Sequence, residues 1–353
     1  MSFPFLQPYA GLGNSLQTAQ AAVGGGAVGG WVELGRTTLG SVNSDIDVTS
    51  LSDKRYYMIL INGIGYSGTA NTHLRFNSDS GTNYSYRLSI DGGADNTGTS
   101  SIATFAHGNS STNNFGVGYV SNLSSKEKLV LSHNIRQNTA GAANPPIRSE
   151  SVSKWANTSS AISGINATTA SAATHGTGSE CVVLGWDPAD THTSNFWEEL
   201  ASVELGVAGD TLSSSTITAK KYLCVQVFTK ATGGTIQQRM RFNSDAGSNY
   251  AERYSQDGGT DGTIINDEEL LLSAAPSTPA FTNMFIINNQ SNEKLLIGHN
   301  VNQGGAGAAN DPERYEIAHK WANTSNQITQ IDIINTGSGN FDTGSIIKVW
   351  GAD

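Results

Sequence analysis

Positive charge, cysteine, proline and long apolar runs are all scarce in this sequence of 353 residues. Lysine and arginine number 20 against 30 aspartates and glutamates, a formal charge of −10. A surface of that sign repels phosphate and anionic lipid, so neither nucleic acid nor a membrane surface is expected as a partner. Cys181 and Cys224 are the only cysteines, too few for a disulfide scaffold or a multi-cysteine zinc site. Each sits in a short apolar run and reads as a small buried strand residue. No apolar stretch nears the ~20 residues that span a bilayer, so membrane insertion is not expected. The first basic residue is Arg36, so the opening lacks the positive region of a secretion signal. The 40 glycines and the surplus of Ser, Thr and Asn over helix formers are the composition of strands joined by many turns.

The strongest internal signal is a repeat. Arg75-Phe76-Asn77-Ser78-Asp79 recurs as Arg241-Phe242-Asn243-Ser244-Asp245, an offset of 241 − 75 = 166. Trp31 with Trp197, His133 with His299, and Lys154-Trp155-Ala156-Asn157 with Lys320-Trp321-Ala322-Asn323 keep the same offset. A period this long is no solenoid unit and marks two similar domains in tandem. The expected organisation is an N-terminal docking arm and Gly-rich hinge over 1–30, one repeat over 31–187, a linker over 188–196 and a second repeat over 197–353. Within each repeat, aromatic and β-branched runs such as 55–61 and 222–228 follow one another at strand length, and no long helical period intervenes. The expected fold class is therefore all-β, two tandem similar jelly-roll-like β-sandwich domains preceded by a flexible N-terminal arm. Phe3, Phe5, Leu6 and Tyr9 of the arm are candidate docking residues, apolar side chains on a segment without a counterpart in the second repeat.

Few motifs carry chemistry. Gly63-Ile64-Gly65-Tyr66-Ser67-Gly68 matches a dinucleotide fingerprint but leads into another strand instead of a helix, so it reads as a hairpin loop and no cofactor is expected. The segments 77–84 and 243–250 read as hairpins in which Asp accepts backbone N–H bonds and Gly takes a positive φ. Their Asp79 and Asp245, with Asp91 and Asp95 and with Asp257 and Asp261 of the Asp-Gly-Gly loops, are weak calcium candidates, because one or two carboxylates per loop fall short of a full oxygen shell. Arg75, Arg87, Arg241 and Arg253 fall on the polar side of their strands and suit carboxylates or a partner subunit. His133 and His299 read as structural histidines, since no second ligand or nucleophile neighbours them in sequence. Trp155 and Trp321 are candidate glycan contacts, with a core plug as the commoner use of a strand-end Trp. No GxSxG elbow or Walker sequence occurs, so no catalytic residue is assigned and the chain is not expected to be an enzyme.

The segments Leu74-Arg75-Phe76-Asn77-Ser78-Asp79-Ser80-Gly81-Thr82-Asn83-Tyr84 and Met240-Arg241-Phe242-Asn243-Ser244-Asp245-Ala246-Gly247-Ser248-Asn249-Tyr250 resemble a motif of tailed-bacteriophage virion structural proteins. The resemblance covers one short segment in each repeat and none of residues 1–30. It implies a non-enzymatic virion protein (capsid decoration, tail adaptor or fibre component) assembled in the host cytoplasm. It also implies as partners other copies of the chain, with a trimer as one count, and other virion proteins. A lectin-like module that recognises host surface glycans is the alternative.

Overall fold

The computed structural model describes residues 30–353 apart from 69, 170, 189, 192–193 and 275–278, with the backbone alone at 70 and 108–110. The docking candidates Phe3, Phe5, Leu6 and Tyr9 lie outside the described residues. Every regular element that is described is a strand, and no described helix is long and apolar enough to cross a membrane.

The first half contains β1 (Val32–Thr38), β2 (Asp45–Val48), β3 (Tyr56–Gly63), β4 (Ala70–Phe76), β5 (Tyr84–Ile90) and β6 (Asn96–Ser100). It continues with β7 (Ala103–Ser110), β8 (Asn114–Ser121), β9 (Lys128–Arg136), β10 (Ile147–Trp155), β11 (Ile165–Thr168) and β12 (Glu180–Trp186). Four antiparallel pairs are nested: β1 with β12, β2 with β11, β3 with β8 and β4 with β7. A long hairpin folded over itself makes such a nest, and splitting it between two sheets gives β1-β12-β3-β8 opposite β2-β11-β4-β7. That is a jelly roll. Strands β9, β10, β5 and β6 continue the first sheet beyond β8, so an eight-stranded sheet faces a four-stranded one.

The second half has β13 (Glu198–Glu204), β14 (Thr211–Ser213), β15 (Tyr222–Thr229), β16 (Ala231–Thr232), β17 (Gln237–Phe242), β18 (Tyr250–Gln256) and β19 (Gly262–Asp267). Then come β20 (Leu270–Ala274), β21 (Ala280–Ile287), β22 (Lys294–Asn302), β23 (Glu313–Trp321), β24 (Ile331–Asn335), β25 (Asn340–Phe341) and β26 (Ile346–Ala352). Its sheets run β13-β26-β15-β21-β22-β23-β18-β19 and β14-β24-β17-β20, the order of the first half with a short β16-β25 pair added.

Side chains alternate across each strand, so one strand serves two layers. Val130 of β9 enters the core of the first sandwich with Ile59, Phe76, Phe105 and Trp155. Leu296 of β22 enters the second with Val225, Phe242, Ile317 and Trp321. The opposite faces of the two large sheets form a third apolar cluster, in which Met58, Leu60, Val117 and Val182 pack with Cys224, Phe285, Ile297 and Trp350. The molecule therefore has four sheet layers. Strands apolar on both faces sit in the middle, which is why β3 and β12 read as unbroken hydrophobic runs. Cys181 and Cys224 are buried free thiols, one in a sandwich core and one in the middle layer.

Two sequence expectations need correction. Segments 77–83 and 243–249 are not hairpins, because β4 and β17 lie in the small sheets whereas β5 and β18 lie in the large ones. They are arches between layers. The positive φ angles fall on Asn77, Ser78, Asn243 and Ser244, not on the glycines, which are small for another reason: a Cβ on Gly81 would lie 2.7 Å from the Asn83 amide. The Gly63–Gly68 loop likewise joins β3 of one sheet to β4 of the other.

Candidate assembly interface

The middle layer has an apolar centre and a charged frame. Arg148, at the start of β10, reaches across to the second half and donates to Asp261 at 2.8 Å and Glu316 at 2.7 Å, and to its own neighbour Glu150 at 2.6 Å. Burial works against the guanidinium charge, but its bonds to Asp261 and the charges of Glu150, Asp261 and Glu316 outweigh it and push its pKa up. In the reverse direction Arg253 of β18 lies 3.0 Å from Asp91 and donates to the Pro146 carbonyl at 2.7 Å. Lys320 of β23 is wholly buried, donates to the Thr139 carbonyl at 2.6 Å and lies 3.4 Å from Glu293. The loop after β9 thus plugs into the second half, and the Asn266 N–H on the Ala142 carbonyl secures it at 2.9 Å. At the other side, Glu180 accepts from Tyr222 at 2.6 Å and Lys221 at 2.9 Å.

The two halves use different parts of the same sheet face. Along β9 Leu129 and Leu131 are exposed, and the far end of the strand is covered; along β22 the near end is covered and Val301 is exposed. Leu129, Leu131 and Val152 are 58%, 55% and 50% exposed, while their equivalents Leu295, Ile297 and Ala318 are at most 1% exposed. The near end of the first half's face is therefore an open apolar groove of about 810 Å³, walled by Tyr56, Tyr119, Leu129, Leu131, Val152 and Trp186. Among the described residues nothing covers it, and an apolar surface of this kind is a candidate interaction site. Sequence reasoning missed it because Leu129 and Leu295 sit in matching strand patterns. Only their neighbours differ.

The predicted site residues fall as follows. Asp79 accepts from the Trp155 indole at 2.7 Å, from the Gly81 N–H at 2.8 Å and from the Asn83 amide at 2.9 Å, and Asp245 repeats the set with Trp321, Gly247 and Asn249. Partial burial opposes the Asp79 charge, but the bonds from Trp155, Asn83 and Gly81 win and hold its pKa down. These carboxylates are spent on the arch and are not arranged as a calcium shell. Asp91 and Asp261 face Arg253 and Arg148 across the interface, Asp95 pairs with Arg87 at 2.9 Å, and Asp257 accepts the Arg314 N–H at 2.9 Å. Arg241 meets Glu269 at 2.8 Å. Trp155 and Trp321 are 1% exposed, which removes them as a sugar-stacking platform; their indoles close the sandwich cores. Among the partly open aromatic side chains are instead Tyr56, Tyr86, Tyr119 and Trp186 of the groove.

His133 and His299, distant in sequence, meet with ring centroids 4.6 Å apart. With Glu150 they form a group whose ligand atoms lie within 4.8 Å of one another. Arg148 already occupies the Glu150 oxygen that faces His133, so a divalent cation would have to displace a guanidinium. Burial, with the positive charges of its surroundings, pushes His133 well below its ordinary pKa.

No family model matches the chain, and no curated protein matches it. Among solved structures, domains LG4-5 of the mouse laminin alpha1 chain share 8% identity over 92% of this chain and 91% of theirs, with a TM-score of 0.19. Neisserial surface protein A shares 8% identity over 80% of this chain and 99% of its own, at a TM-score of 0.14. Pseudomonas aeruginosa OccK3 shares 9% over 83% and 94%, at 0.13. Scores this low transfer neither fold nor function, and the reading rests on the residues described above.

Proposed function

We propose that the chain is a structural building block of a tailed-bacteriophage particle, a capsid decoration, tail adaptor or fibre component, and works by self-association instead of catalysis. The observation that carries the self-association is the open groove. Leu129, Leu131 and Val152 line it, with Arg87 and Lys154 among the polar residues beside them, and an exposed apolar face of this extent suits contact with another protein surface. Its counterpart in the second half is covered by protein and not by a ligand. The phage assignment itself rests on the resemblance of segments 74–84 and 240–250, and the acidic surface agrees with a protein that avoids nucleic acid.

The test is twofold. Antibody against the full chain should label intact particles at a fixed position in electron micrographs, and the purified chain should form multimers. A chain that stays monomeric at high concentration and is absent from purified particles would refute the reading. Specific retention of glycans on an array, without multimers, would transfer it to the lectin-like alternative.

A further inference from the structure

We propose that a second copy of this chain docks head to tail on the open groove of the first half, presenting the exposed far end of its second half, so that the joint inside one chain is repeated between chains. This deepens the assembly reading and rests on it.

The internal joint is heterologous: the far end of the first half's sheet face, around Leu60, Phe115, Val117, Ile135 and Arg148, covers the near end of the second half's, around Phe285, Leu295, Ile297 and Asp261. A heterologous joint always leaves one unused surface of each kind, and these propagate to a ring or a filament. Both unused surfaces are present. The near end of the first half is the groove. The far end of the second half exposes Phe281 and Val301, which stand 166 residues beyond Phe115 and Ile135.

Three parts of the charged frame are duplicated residue for residue. Inside the chain Arg148 meets Asp261, Arg253 meets Asp91, and Lys320 with Glu293 receives the 137–142 loop. Shifted by 166, the same roles fall to Arg314 with Asp95, Arg87 with Asp257, and Lys154 with Glu127 facing the loop 303–308. Each of these six is the same residue type as its equivalent. Arg87, Asp95 and Arg314 stand in solvent with at least 45% of the side chain exposed, and Arg87 and Asp95 fill in for one another. The loops agree as well: Ala140-Gly141-Ala142-Ala143-Asn144 is repeated as Ala306-Gly307-Ala308-Ala309-Asn310, with Gly141 at φ 89° and Gly307 at φ 85°.

The far end of the second half differs at its centre, where Gln226, Asn283 and Lys348 replace Leu60, Val117 and Val182. Glu180 also has Ile346 in its place. The joint between chains is accordingly more polar than the joint within one, and suits reversible assembly, whereas the internal joint is part of the fold.

The test uses full chains in sedimentation velocity from about 1 to 100 μM. The wild type is expected to form multimers that grow with concentration. Arg314→Glu and Asp95→Arg should each weaken association at least about tenfold, and the double variant, which reverses the pair, should restore it. Leu131→Asp should abolish it, with the melting temperature of the monomer unchanged in all four. A chain monomeric throughout refutes both this docking and self-association. Multimers that ignore all the substitutions refute the docking and leave the assembly reading standing, as does a double variant no better than the single ones.

Discussion

One sheet face occurs twice in this molecule, and its two copies have opposite fates. In the second half Leu295, Ile297, Lys320 and Asp261 are sealed against a neighbour; in the first half Leu129, Leu131, Lys154 and Asp95 are open. Side-chain chemistry is nearly constant between the two, so burial follows from position in the chain. The energetic consequences are unequal. An exposed ion pair contributes about 0–1 kcal/mol, whereas removing one partner from a buried pair costs about 3–5 kcal/mol because the remaining charge keeps its desolvation penalty.

The largest expected effect breaks that comparison at its centre. Arg148→Ala removes the guanidinium shared by Asp261, Glu150 and Glu316, leaving Asp261 only the more distant Arg253 at 3.7 Å, and should destabilise the chain by about 3–5 kcal/mol. Its equivalent Arg314→Ala should cost the monomer less than about 1 kcal/mol. Equilibrium urea unfolding of the two variants at low protein concentration measures the difference. Equal costs would mean that the joint within the chain is not held by its charged frame.

How much of this was legible follows from what each residue's neighbours are. The all-β class and the 166-residue repeat are local or internal properties of the sequence, and the nested jelly-roll order agrees with the strand-rich pattern. The bonds from Trp155 to Asp79 and from Trp321 to Asp245 join residues 76 apart, which no motif announces. For the same reason segments 77–83 read as hairpins: Asn, Asp and Gly mark a turn but do not say whether the next strand stays in the same sheet. The open and covered faces were illegible because Leu129 and Leu295 carry the same local pattern. Asp91 and Asp261 offered a faint signal, since acidic loops and arginines on polar strand faces recur together in both repeats.

The next effect is a difference of pH dependence between the halves. Glu252 of β18 is completely buried, and the first half has Tyr86 in its place. Desolvation, opposed by the Leu271 N–H and Arg239, raises the Glu252 pKa to about 8. The folded state therefore holds a proton that the unfolded chain releases near 4.5, so this group's contribution is full below 4.5 and is lost as pH rises to about 8. At ~1.4 kcal/mol per pKa unit, the interval from 4.5 to about 8 caps the loss at about 5 kcal/mol. Buried histidines act oppositely: His73, His175 and His319 are held near 4 by burial, so they add stability as pH rises from about 4 to 6.5. Subtracting the stability curve of Glu252→Gln, which keeps an oxygen for the Leu271 N–H, from that of the wild type isolates the Glu252 contribution. A difference that stays flat from pH 5 to 8 would refute the buried proton.

The smallest effect tests where the halves should agree. Asp79→Ala and Asp245→Ala each strip a nearly buried indole N–H of its acceptor, and each should cost about 1–3 kcal/mol. Both arches face away from the middle layer, joining a small sheet to a large one, so covering the outer face should not change the cost. Calorimetry of the two single variants and the double variant measures this. Equal single costs that add to within about 0.5 kcal/mol mean that each sandwich carries its arch independently, and that the difference between the halves is confined to the shared face. A larger cost at Asp245 would show that the covered face stiffens its own sandwich. Docking on the open face should then raise the cost of Asp79→Ala as well, and repeating the measurement at a concentration where multimers form would reveal it.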